Sequence, residues 1–100
     1  MKYNILVVDD ERNIREGLGK VLELDGYAVL LAADGAQALE TLKGGEVDLV
    51  ITDLKMPGLS GEEVLRAAAQ LSPSLPVIIL TGHGTIENAV QAMKNGAYDY

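Results

Sequence analysis

With 100 residues, 48% of them hydrophobic and 23% charged, the chain has the size and composition of one small globular domain built around a single core. A formal net charge of -7 argues against duplex binding, which rests on neutralising phosphates with lysine and arginine, so any contact with DNA is expected of another domain. The absence of cysteine excludes disulfides and thiolate metal sites, and one histidine, His83, excludes a histidine-rich site.

Any metal must therefore be held by oxygen. The sequence has no apolar run of ~18 or more residues, and the short apolar stretch Ile5 to Val8 leads into acidic residues rather than a cleavage site, so a cytoplasmic protein without a membrane segment is expected.

In chain order, Lys2 to Val8 is a β-type run ending in Asp9-Asp10-Glu11. The acidic pair is of a kind that caps helices, and a helix from Glu11 to Asp25 is expected after it, carrying apolar Ile14, Leu18, Val21 and Leu22 at helical spacing, with Gly26 as its stop. Ala28 to Ala32 reads as a second strand. Asp34-Gly35 then opens a helix over Ala36 to Lys43, with Ala38, Leu39 and Leu42 inward, ended by Gly44-Gly45.

The stretch VDLVITDLKMPG, Val47 to Gly58, organises the rest. Its near-continuous apolar residues Val47, Leu49, Val50 and Ile51 predict a strand buried on both faces and ending at Asp53, with Pro57-Gly58 turning the chain. Ser60 and Glu63 predict a capping box for a helix over Gly61 to Leu71, which Ser72-Pro73 breaks. Val77 to Leu80 is a fourth strand, Thr81 to Gly84 its exit loop, and Thr85 to Asn95 a helix; Ala97 to Tyr100 begins a fifth strand. Strands alternating with helices predict an α/β fold with a doubly wound parallel sheet.

Parallel strands place their C-terminal ends on one edge, so Asp9, Asp10, Asp53 and Thr81 are expected to converge. Carboxylates brought together repel, and a hard divalent cation such as Mg²⁺ relieves this with oxygen ligands. Asp53 is then placed to attack a phosphoryl group, with Thr81 of a size to bond its oxygens.

Three segments, VVDDE at Val7 to Glu11, DLVITDLKMPGLSG at Asp48 to Gly61 and PVIILTGHG at Pro76 to Gly84, resemble the receiver domain of bacterial two-component response regulators in order and spacing. The resemblance covers the whole chain. It implies a flavodoxin-like strand order 2-1-3-4-5, and phosphorylation of Asp53 by the phosphohistidine of a sensor histidine kinase. It also implies Mg²⁺ held by Asp10 and Asp53, by Asp9 through water and by the Lys55 main-chain carbonyl. Thr81 and Tyr100 are then the switch residues, biased by the charge that phosphorylation adds.

The segment LTGHGTIENAVQAMKNGAYDY is similar to receivers of nitrogen-regulation-type enhancer-binding activators, which implies output ATPase and DNA-binding domains not contained in these residues. The family carries a Lys-Pro pair shortly beyond the position of Tyr100 and then a fifth helix. A C-terminally truncated receiver is therefore expected, with the fifth strand incomplete, the fifth helix absent, and dimerisation or exchange of elements through an open fourth-strand edge.

Two other functions are weighed. A phosphohydrolase with Asp53 as nucleophile, of the haloacid-dehalogenase type, needs an acidic residue where Lys55 stands, and a flavin or nucleotide carrier needs a phosphate loop where Asp9-Asp10-Glu11 would repel one. A receiver-like fold used only for binding is the remaining alternative. His83 reads as an exposed loop residue, the Lys55 ammonium as solvated, and Tyr3, Tyr27 and Tyr98 as packing or rim residues.

Overall fold

The β-branched and leucine-rich run NILVV forms β1 (Asn4–Val8), the strand against which the other elements are laid down. A computed structural model of the chain describes residues 3–53, 61–71 and 74–79. After β1 come α1 (Arg12–Leu24), β2 (Ala28–Ala32), α2 (Gly35–Lys43), β3 (Leu49–Thr52), α3 (Gly61–Leu71) and β4 (Val77–Ile79). The strands pair in parallel in the order β2-β1-β3-β4, as expected for the first four. The expected helix from Thr85 and the strand from Ala97 lie outside the described residues, as do the Ser60 cap and Leu80.

Register fixes which side chains share a face. Leu6 pairs with Val50 and Val50 with Val77, while Val8 pairs with Thr52 and Thr52 with Ile79. All six are at most 1% exposed, and with Ala38 and Leu42 of α2 and Val64, Leu65 and Ala68 of α3 they make up one core layer. α1 packs mainly on β2 and β1, on the opposite face. At Gly19 of α1 an added Cβ would lie 3.3 Å from Leu31 Cδ2 and 3.5 Å from Val29 Cγ1. Among the described residues no helix is long and apolar enough to cross a membrane.

Gly19 is the buried residue of α1. Leu18 and Leu22 are half-buried, but Ile14 and Val21 are 48% and 56% exposed. On the sheet side Gly19 leaves so little room that an added Cβ would require Leu31 to give way. β3 departs from a strand buried on both faces. Val50 and Thr52 are buried under α2 and α3, whereas Leu49 and Ile51, on the α1 side, are only half-buried. It is β1 that is closed on both sides, with Ile5, Leu6, Val7 and Val8 all buried.

The ends of the helices follow local chemistry. α1 stops where Gly26 takes φ +93, its N–H donating to the Glu23 carbonyl at 3.0 Å and the Tyr27 N–H to the Leu22 carbonyl at 3.2 Å. This is the left-handed glycine stop that satisfies orphan carbonyls. α2 starts one residue before the expected Ala36, because Asp34 caps it by accepting the Gln37 N–H at 2.8 Å. Of the rim tyrosines, Tyr3 is exposed at 60% and Tyr27 at 37%.

Candidate functional site

β1 and β3 are neighbours, and the chain leaves both at the same edge of the sheet. Val8 is paired with Thr52, so the next residues, Asp9 and Asp53, emerge side by side. The ladder continues into both. The Asp53 N–H donates to the Val8 carbonyl at 3.0 Å and the Asp9 N–H to the Ala32 carbonyl at 3.2 Å. These carboxylates are thus positioned by the sheet itself. The strand order reverses at β1, the kind of crevice in which open α/β sheets bind ligands.

Asp9, Asp10 and Asp53 each bring a carboxylate oxygen to a point where all three lie within 4.8 Å of one another. Asp9 is buried at 8% exposure, Asp10 is exposed and Asp53 is half-buried. The Asp9 Oδ1 accepts the Glu11 N–H at 2.9 Å, and the Asp9 carbonyl accepts from Arg15 Nη1 at 2.8 Å. The buried Thr52 hydroxyl donates to the Asp53 carbonyl at 3.0 Å. Burial raises the Asp9 pKa above its ordinary value; the Glu11 N–H opposes this, and the charges of Asp53, Asp10 and Glu11 add to it.

Capping does not account for the acidic pair. The N-cap of α1 is Glu11, with no side-chain cap bond, and the Asp9 carboxylate takes an N–H that precedes the helix. An all-oxygen donor set of crowded carboxylates at a strand edge instead fits a hard divalent cation. Lys55, Thr81, Tyr100 and His83 lie outside the described residues. Arg15, to which the sequence reading gave no role, reaches the site; its only signal was a position one turn into the helix that follows the acidic pair.

The raised Asp9 pKa has a sign that can be checked. Without metal, the folded state holds the Asp9 proton more tightly than the unfolded chain does. Asp9 therefore lowers stability as the pH rises from the ordinary carboxylate value through its own raised one, and the loss persists at neutral pH. Asp9→Asn keeps an oxygen for the Glu11 N–H and removes the charge. In a metal-free thermal melt at neutral pH it is expected to raise the melting temperature. The gain should vanish at a pH where wild-type Asp9 is also protonated.

The family description "Response regulator receiver domain" matches residues 5–100. The C4-dicarboxylate transport transcriptional regulatory protein DctD of Rhizobium meliloti is 40% identical over 97 residues, 97% of this chain and 21% of that protein. The solved receiver domain of NtrX from Brucella abortus is 39% identical with a TM-score of 0.88, over 95% of this chain and 81% of that one. A response regulator from Burkholderia pseudomallei, solved with a phosphorylated aspartic acid, calcium ion and citrate, is 33% identical with a TM-score of 0.93, over 99% of this chain and 58% of that one. The chain spans less than half the length of the curated relatives it matches, 21% of DctD and 44% of the mycobacterial response regulator MprA.

Proposed function

The chain belongs to the receiver domains of two-component response regulators, and on that footing we propose that it is a phosphoacceptor switch whose acceptor is Asp53. The observation that carries the reading is the convergence of the Asp53 carboxylate with those of Asp9 and Asp10 within 4.8 Å at the switch point of the sheet.

The donor is the phosphohistidine of a sensor histidine kinase. An oxygen of the Asp53 carboxylate attacks phosphorus while the P–N bond to the imidazole breaks, its electron pair passing to the ring nitrogen, which takes up a proton. An aspartyl phosphate and a free histidine result. Asp53 is half-buried, so a donor can approach it, and its backbone is fixed by the bond to the Val8 carbonyl.

Asp9, Asp10 and Asp53, with the main-chain carbonyl of Lys55, are the residues that would hold Mg²⁺. Asp9 is assigned to act through water. When bound, Mg²⁺ neutralises charge on the transferred oxygens. Thr81 and Tyr100 are the residues proposed to respond to the new charge. The Burkholderia relative supports the assignment, having both a phosphorylated aspartic acid and a divalent cation. The switch is assigned to a cytoplasmic transcription activator with ATPase and DNA-binding output domains, and the relative DctD, a transcriptional regulatory protein, supports the transcriptional part of that reading.

Incubation with acetyl phosphate and Mg²⁺, followed by intact mass, tests the proposal. A gain of one phosphoryl group that disappears when EDTA replaces Mg²⁺ is expected. No gain, or a gain indifferent to EDTA, would overturn it.

A further inference from the structure

We infer that Arg15 is a positioning residue for cation binding, holding the peptide between Asp9 and Asp10 so that both carboxylates stay gathered at Asp53. The inference rests on the reading of the cluster as a Mg²⁺ site. Each polar group of Asp9 that fixes its orientation is tied: the N–H to the Ala32 carbonyl, Oδ1 to the Glu11 N–H, and the carbonyl to Arg15 Nη1 at 2.8 Å. That carbonyl belongs to the peptide linking the two acids, so its direction sets where the exposed Asp10 leaves the chain.

Nothing in the start of α1 replaces this tie, because its N-cap, Glu11, makes no side-chain cap bond. The half-buried guanidinium of Arg15 is a rigid fork that stays charged at any working pH, and it reaches back over the first turn to the loop. The neighbouring Arg12 does something different. It pairs with Glu16 at 3.1 Å on the exposed side of the same helix.

Two effects of removing Arg15 have opposite signs, and this makes the inference testable. Loss of a nearby positive charge by itself would tighten cation binding, whereas loss of the positioning bond loosens it. Mn²⁺ serves as the probe, with the free ion counted by electron paramagnetic resonance in titrations of the full chain. Arg15→Met is expected to weaken binding ~10- to 100-fold, the usual effect of removing a group that orients ligands. Arg15→Lys, which keeps a donor and the charge, should recover most of it. Arg12→Met, which removes a charge without touching the loop, should stay within about twofold of wild type or bind tighter.

Urea melts in EDTA establish that each variant is folded. If Arg15→Met is not, the shorter, neutral Arg15→Gln takes its place, with weaker binding again expected. Wild-type binding with unchanged or tighter binding in the Arg15 variants overturns the positioning role alone. No Mn²⁺ binding by wild type overturns both this inference and the cation site on which it rests.

Discussion

Asp53→Asn is expected to lose phosphoryl incorporation from acetyl phosphate by at least about a hundredfold, because an amide in place of the carboxylate leaves no nucleophilic oxygen of comparable strength. The fold should survive. The Asp53 N–H to the Val8 carbonyl and the Thr52 hydroxyl to the Asp53 carbonyl are both main-chain tethers that the substitution leaves alone. One of three crowded negative charges is also removed, so the metal-free melting temperature should hold or rise. Intact mass and a thermal melt on the same sample separate the two effects. Incorporation at the wild-type level would put the acceptor elsewhere.

Leu6→Ala should have the largest effect on stability. Leu6 is fully buried at the centre of the sheet, paired with Leu30 on one side and Val50 on the other, and belongs to the layer that α2 and α3 close. Truncating a leucine so placed costs about 2–5 kcal/mol, the upper part of the range applying where neighbours held by sheet register cannot collapse into the cavity. A small domain has a total of only about 5–15 kcal/mol, so a fall of this size removes a large fraction of it. The urea midpoint should drop with the slope unchanged. A loss below ~1 kcal/mol would contradict the packing described for β1. The substitution also bears on function, since β1 is the strand that delivers Asp9 to the site.

What could be read from residue order alone was whatever local chemistry decides. The alternation of elements, the glycine stop after α1, the Asp34 start of α2 and the acidic strand ends all rest on short-range signals, and as far as the described residues reach, to β4, the structure has each of them. What failed was decided by tertiary contact. Helical spacing of apolar residues did not tell which side of α1 would be covered: Gly19 is buried while Ile14 and Val21 are exposed. A continuous apolar run was read as double burial for β3, yet burial on its second face depends on which helix lies there.

The candidate site divides the same way. Asp9, Asp10 and Asp53 were legible because parallel strands must end on one edge, and the structure brings their oxygens together. Their separation from a capping role was not, since an N-cap and a strand-end ligand look alike in sequence; the Glu11 cap and the Asp9 to Glu11 bond distinguish them. Arg15 was invisible for a different reason. A side chain that bonds a main-chain carbonyl six residues upstream leaves no pattern of residue types.

The central claim is that Asp53 is the residue that receives the phosphoryl group. Its most direct test is to phosphorylate the full chain with acetyl phosphate and Mg²⁺, reduce the acyl phosphate with borohydride, and locate the resulting homoserine by peptide mass spectrometry. The account predicts homoserine at position 53 alone. Homoserine at position 9 or 10, or none in a chain that has gained phosphoryl mass, would contradict it.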